Sequence, residues 1–109
     1  MSESTEMIWF EHHVLSLPEL AELSGLPRAV LEELLDCGAI APLDRSTELR
    51  FGAVALSTAR TARRLRADFE LDVEALALAL GLLERVAALE AQVQELRAKL
   101  PQRHSNRPR

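Results

Sequence analysis

Apolar residues recur every three or four positions in four blocks of this chain, and the residues between the blocks read as helix ends. Leu17, Leu20, Ala21 and Leu23 predict a short first helix and its buried stripe. Ser16 stands before it and Glu19 three residues on, the spacing of a capping box, and Gly25 stops it. Val30, Leu31, Leu34 and Leu35 predict a second helix, with Pro27 in its first turn and Gly38 as its C-terminal cap. The short turn around Gly25 gives the pair helix-turn-helix spacing. Val54, Leu56, Ala59, Ala62 and Leu65 mark a third helix over residues 53–67. Asp72 caps a fourth, which runs to about Leu100 and ends before Pro101.

Two stretches break the helical period. "MIWFEHHV" is apolar and aromatic and predicts a short strand over residues 7–12. "AIAPLDRSTELRFG" carries Pro42 and the turn residues "DRST", after which "LRF" is expected to return beside residues 39–41 as a small hairpin, or wing.

The fourth helix also carries a heptad. Val86, Val93 and Leu100 fall at a, and Leu82, Leu89 and Leu96 at d, with Ala75 and Ala79 extending the seam more weakly. β-branched residues at a with Leu at d favour two strands. Arg85 at g and Glu90 at e suit a parallel pairing without fixing orientation. The alternative is a long helix packed on its own domain, but a domain this small has few surfaces to cover such a stripe.

Composition fits this picture. At 109 residues, 48% hydrophobic and 4% aromatic, the chain suits one small helical domain with a thin core. The expected organisation is a domain over 1–71, a dimerisation helix over 72–100 and a disordered basic tail over 101–109. The single cysteine, Cys37, suits a reducing compartment. No apolar run reaches the ~20 residues of a membrane span, and "MSESTEM" is too polar for a signal peptide, so a cytoplasmic protein is expected. Charge is uneven: residues 1–48 hold ten acidic groups against Arg28 and Arg45, whereas the last nine residues hold three Arg and no acid. An acidic body repels DNA and attracts basic partners.

Signatures of catalysis are missing. The chain has no Gly-rich phosphate loop, no nucleophile elbow and no cysteine pair at zinc spacing, so neither an enzyme nor a cofactor or metal site is expected. His12 and His13 are neighbours and point to opposite faces of an extended chain; His104 falls in the tail. Cys37 reads as a small buried thiol, because a reactive thiolate needs cationic neighbours and these are acidic.

The order of elements, a helix-turn-helix, a wing, two further helices and a dimerising C-terminal helix, resembles the MerR-type winged-helix architecture. "ELRFG" lies where that family's wing returns, and the likeness covers roughly residues 15–100. The stretch "VALSTARTARRLRADFELDVEALALALGLLERVAALEAQVQELRAKL" is similar to a smaller group within it, the CbpM-like chaperone modulators. That resemblance implies an adaptor that binds the J-domain of a CbpA-type co-chaperone. Such an adaptor suppresses the co-chaperone's work with a DnaK-type chaperone and its DNA binding. The expected fold is therefore mainly α, a MerR-like winged helix-turn-helix with a long C-terminal dimerisation helix.

The second helix departs from the DNA-binding branch of that family. Where that branch resembles itself in carrying Arg and Tyr, this chain has Ala29, Glu32, Glu33 and Leu34, followed by Asp36. Three carboxylates facing duplex phosphates would cost several kcal/mol, against the roughly 1–3 kcal/mol of a good base contact. J-domains resemble one another in presenting a Lys/Arg-rich helix, which such a face suits. Glu32, Glu33 and Asp36 are thus the expected J-domain contacts, although acidic helix faces are often simply solvated. Trp9 and Phe10 are either the apolar anchor of that contact or part of the small core. Leu82, Val86, Leu89, Val93, Leu96 and Leu100 are the expected dimer seam. The rival reading is a DNA-binding transcriptional regulator that uses Arg50 in the wing with Arg60, Arg63 and Arg64 on the third helix. Against it, Arg64 has Asp68 as an i, i+4 partner. A third reading is a dimerising scaffold with some other basic partner.

Overall fold

The computed structural model describes residues 13–44 and 48–101. The strand expected over 7–12 and the tail from 102 onward lie outside them, as do Trp9 and Phe10. The described residues form four helices: α1 (Leu17–Ser24), α2 (Arg28–Asp36), α3 (Ala53–Phe69) and α4 (Val73–Lys99). α1 packs on α2 and α3, and α4 packs on α2 and α3.

Local chemistry sets the helix ends. The Glu19 N–H donates to Ser16 Oγ at 3.2 Å and the Ser16 N–H to Glu19 Oε1 at 2.8 Å, so the capping box forms as expected. Gly25 closes α1 in the left-handed region at φ 82°. Pro27 stands one position before its expected place, as the N-cap of α2. Past the end of α2, Gly38 takes φ +84°, its N–H bonds to Leu35 O at 3.1 Å, and the Ala39 N–H bonds to Leu34 O at 2.9 Å. That pattern is a Schellman cap. The Asp72 carboxylate accepts from the Ala75 N–H at 2.9 Å and starts α4.

The core is one cluster. Leu15, Leu17, Leu20, Leu26, Val30, Leu31, Leu34, Ile40, Phe51 and Leu56 meet Leu76 and Leu80 of α4, with Ala55, Ala59 and Ala62 between them. Three positions differ from the pattern read along the chain. Leu23 is exposed and Ser24 takes the buried place, because Leu23 lies roughly a quarter of a turn round α1 from the middle of the Leu17–Leu20 stripe, whereas Ser24 falls within it. Ser24 is tolerated inside because its hydroxyl donates to Ala21 O and accepts from the Leu26 N–H. On α3, Ala55 is buried and Val54 is bare. Cys37 is exposed, not buried, since the Schellman cap turns the chain away from the core at that residue.

No hairpin wing forms among the described residues. An antiparallel bridge joins Phe51 to Leu15, with both Phe51–Leu15 backbone hydrogen bonds at 2.8 Å. The expected partners at 39–41 are already committed. The Ala39 and Ile40 N–H groups both bond to Leu34 O in the cap of α2, and Pro42 has no N–H to give. A single bond from the Leu43 N–H to Arg50 O, 2.8 Å, is what remains of the hairpin. Phe51, fully buried, instead pulls the returning chain under the helices.

α4 leads a double life. Its first two turns dock through Leu76 and Leu80, and every residue from 81 to 100 is exposed. The molecule is 60 Å long with a radius of gyration of 17.7 Å, well above the roughly 13 Å of a compact chain of this length. None of the described helices is long and apolar enough to cross a membrane.

Truncating Phe51 to Ala removes the largest fully buried side chain and should cost about 3–5 kcal/mol. Urea titration followed by circular dichroism should show a transition lost or moved to much lower denaturant.

Candidate partner-binding surface

The helix-turn-helix places α2 on the outside of the bundle. Val30, Leu31 and Leu34 turn inward, so the opposite positions must face water. Arg28, Ala29, Glu32, Glu33 and Asp36 are all exposed there. The one cation of this face is not at large. Arg28 Nε lies 3.5 Å from Glu32 Oε2, an i, i+4 pair across one turn. The face therefore carries three carboxylates against one guanidinium.

Glu32 and Asp36 stand together on the edge of a groove of about 500 Å³. Its apolar lining comes from Leu17, Leu35, Ile40, Ala41, Pro42 and Leu49. Glu33 is exposed outside the groove. Sequence reasoning identified the acids but missed this apolar floor. The signal lay in the residues after Gly38: a Schellman cap folds the following chain back against the last turn of its helix, and that brings Ile40 and Pro42 beside Leu35.

Of the arginines in the rival reading, Arg60 and Arg63 lie against the turn between α1 and α2. Arg50 Nη2 lies 3.5 Å from Glu48 Oε1. Arg60, half-buried, donates from Nε to Leu23 O at 3.4 Å and so ties the end of α1 to α3. Arg63 lies against Gly25 so closely that a Cβ there would stand 2.6 Å from its Nε. Arg64 is exposed, and no ion pair joins it to Asp68. The i, i+4 pairing expected for those two is absent.

The expected seam of α4 is bare along its length. Leu82, Val86, Leu89, Val93, Leu96 and Leu100 are between 45% and 63% exposed. No other described element covers them. Among the described residues, no three His, Cys, Asp or Glu side chains converge as a metal site would require.

The described residues form a helix-turn-helix core from which one long helix projects. The model for the MerR HTH family regulatory protein matches residues 15–98, and the chain belongs to that family. No curated protein matches the chain.

The Arg28–Glu32 pair is solvent-exposed on both sides and contributes about 0–1 kcal/mol. Arg28→Ala should leave the melting transition nearly unmoved while making α2 more acidic, measurable as later elution from an anion-exchange column.

Proposed function

We propose that the protein is a dimeric adaptor that masks a basic surface on the J-domain of a CbpA-type co-chaperone, and so modulates that co-chaperone's work with a DnaK-type chaperone. One observation carries the reading. The helix that a MerR-type regulator would lay into a DNA groove bears Glu32, Glu33 and Asp36, and its only cation is held by Glu32. Duplex DNA presents about one negative charge per 1.7 Å of axis, so this face and a duplex repel one another. A Lys/Arg-rich helix reverses the sign of every one of those terms.

Charge complementarity supplies rate, specificity and salt sensitivity more than affinity. Affinity needs desolvated apolar contact, and the groove floor of Leu35, Ile40, Pro42 and Leu49 beside Glu32 and Asp36 supports that part of the reading. The likeness of residues 54–100 to the CbpM-like modulators supports the choice of partner. Membership of the MerR family is compatible with DNA binding as well. Against that alternative, Arg50 has a carboxylate partner and Arg60 is tied to α1.

The dimer follows from α4. Six large apolar side chains at a and d stand uncovered on one helix, and a second copy buries them with the Val-at-a, Leu-at-d arrangement of a two-stranded coil. Leu89→Asp should convert the dimer to monomer in sedimentation experiments; a wild-type chain that sediments as a monomer at micromolar concentration removes this part of the proposal.

The functional test mixes the full-length protein with a J-domain co-chaperone and, separately, with duplex DNA at ~50 and ~200 mM salt; a phosphate-bound protein loses affinity steeply over that range. The J-domain should be bound and the duplex not. Changing Glu32, Glu33 and Asp36 together to Lys should abolish J-domain binding and leave the dimer intact. Unaltered J-domain binding by that variant means the contact lies elsewhere, and tight duplex binding by the wild type overturns the reading.

A further inference from the structure

Val54 and Leu43 are among the barest apolar side chains of the molecule, at 81% and 61% exposure. Both line a groove of about 500 Å³ with Val14, Ala39, Ile40 and Ala41, and Glu84 of α4 stands at its edge. Past Val54, Thr58 and Glu84 the groove continues into a second hollow beside Leu83 and Ala87. This groove adjoins the one beside Glu32 and Asp36, sharing Ile40 and Ala41 with it, and does not include the a and d positions of α4.

We propose that the groove is the seat of the chain's own segment Met7, Ile8, Trp9 and Phe10. His13 and Val14 are themselves part of the lining, so the preceding residues start at its rim. An extended chain covers about 3.3 Å per residue, which puts Phe10 and Trp9 within roughly 10–13 Å of His13. The antiparallel Leu15–Phe51 bridge fixes the direction of approach. Traced backward from Leu15, the chain runs the way Gly52, Ala53 and Val54 run forward, toward the bare valine.

The chemistry of the two sides agrees. Met7–Phe10 is a run of four apolar residues bracketed by Glu6 and Glu11, and it holds the single tryptophan and one of three phenylalanines. Each such aromatic buries about 150–250 Å², and a buried indole N–H needs an acceptor. Glu84 is the carboxylate that lines the groove. The seat gives a thin core two more large side chains. It assigns Trp9 and Phe10 to the fold rather than to the J-domain contact, and it stands independently of the function proposed above.

Trp9, the only tryptophan, reports directly on the seat. Acrylamide quenching and emission maximum are measured on the full chain as wild type, Val54→Glu, Leu43→Lys and Leu89→Asp, with helicity followed by circular dichroism. Val54→Glu places an acid in the first turn of α3, where the helix dipole favours it, so the helix is retained. The wild type and Leu89→Asp should show blue-shifted emission and protection from quencher. Val54→Glu and Leu43→Lys should shift both readings to those of the urea-unfolded chain at unchanged helicity. The proposal is overturned if wild-type Trp9 is as quenchable as in urea, or if its protection ignores both groove variants. It is equally overturned if Leu89→Asp loses protection while staying helical, because the occupant is then a second copy.

Discussion

The close approach of α1 and α4 to α3 is the constraint on which the rest of the structure depends. α3 presents Ala55, Ala59 and Ala62 toward its neighbours, and all three are buried. Methyl groups there let leucines from both sides, Leu20 from α1 and Leu76 from α4, reach a common centre with Leu56. Interiors are packed as tightly as organic crystals, so a larger residue at these positions would push the helices apart and not merely dent the core. α2 packs on α1 and α4, and so keeps one face inward and one outward. Because only the first two turns of α4 are needed to close the core, its remainder projects into solvent.

That division leaves two surfaces with opposite requirements. The outer face of α2 is polar and acidic, and its interactions are long-ranged, fast and weakened by salt. The far half of α4 carries an exposed apolar stripe at its a and d positions, and in the proposed dimer its stabilisation would come from area removed from water and depend on concentration. In the proposed dimer, two copies of the acidic face would be presented at once. A partner with two basic sites would gain from this by effective concentration without any new contact.

The turn between α1 and α2 shows how few groups are needed to hold the α2 face in place. Gly25 supplies the left-handed backbone, the Ser24 hydroxyl pairs inside the turn, Leu26 is buried beneath it, and Arg60 bonds to the Leu23 carbonyl from α3. Arg60 therefore works as a strap between helices, the kind of role that a charge count along the sequence assigns to solvent or to phosphate. On the other side of α2, the Schellman cap consumes the backbone donors of Ala39 and Ile40. The same event removes the wing and creates the apolar floor beside Glu32 and Asp36.

Four helices, their caps at Ser16, Gly25, Gly38 and Asp72, the acidic face of α2 and the heptad of α4 were legible in the sequence, because each depends on residues within a turn or two of one another. Periodicity names a helix and its two sides; it does not say which neighbour arrives first. So Leu23 and Val54 read as core and stand in water, Ser24 reads as polar and is buried, and Cys37 reads as a buried thiol and is exposed. The pairing of Phe51 with Leu15 in place of a wing required knowledge of which backbone donors were already taken, 12 residues earlier, by the end of α2. Local spacing decided the elements and the sign of their charge; competition among distant groups for the same hydrogen bonds and the same core volume was decided only by the tertiary structure.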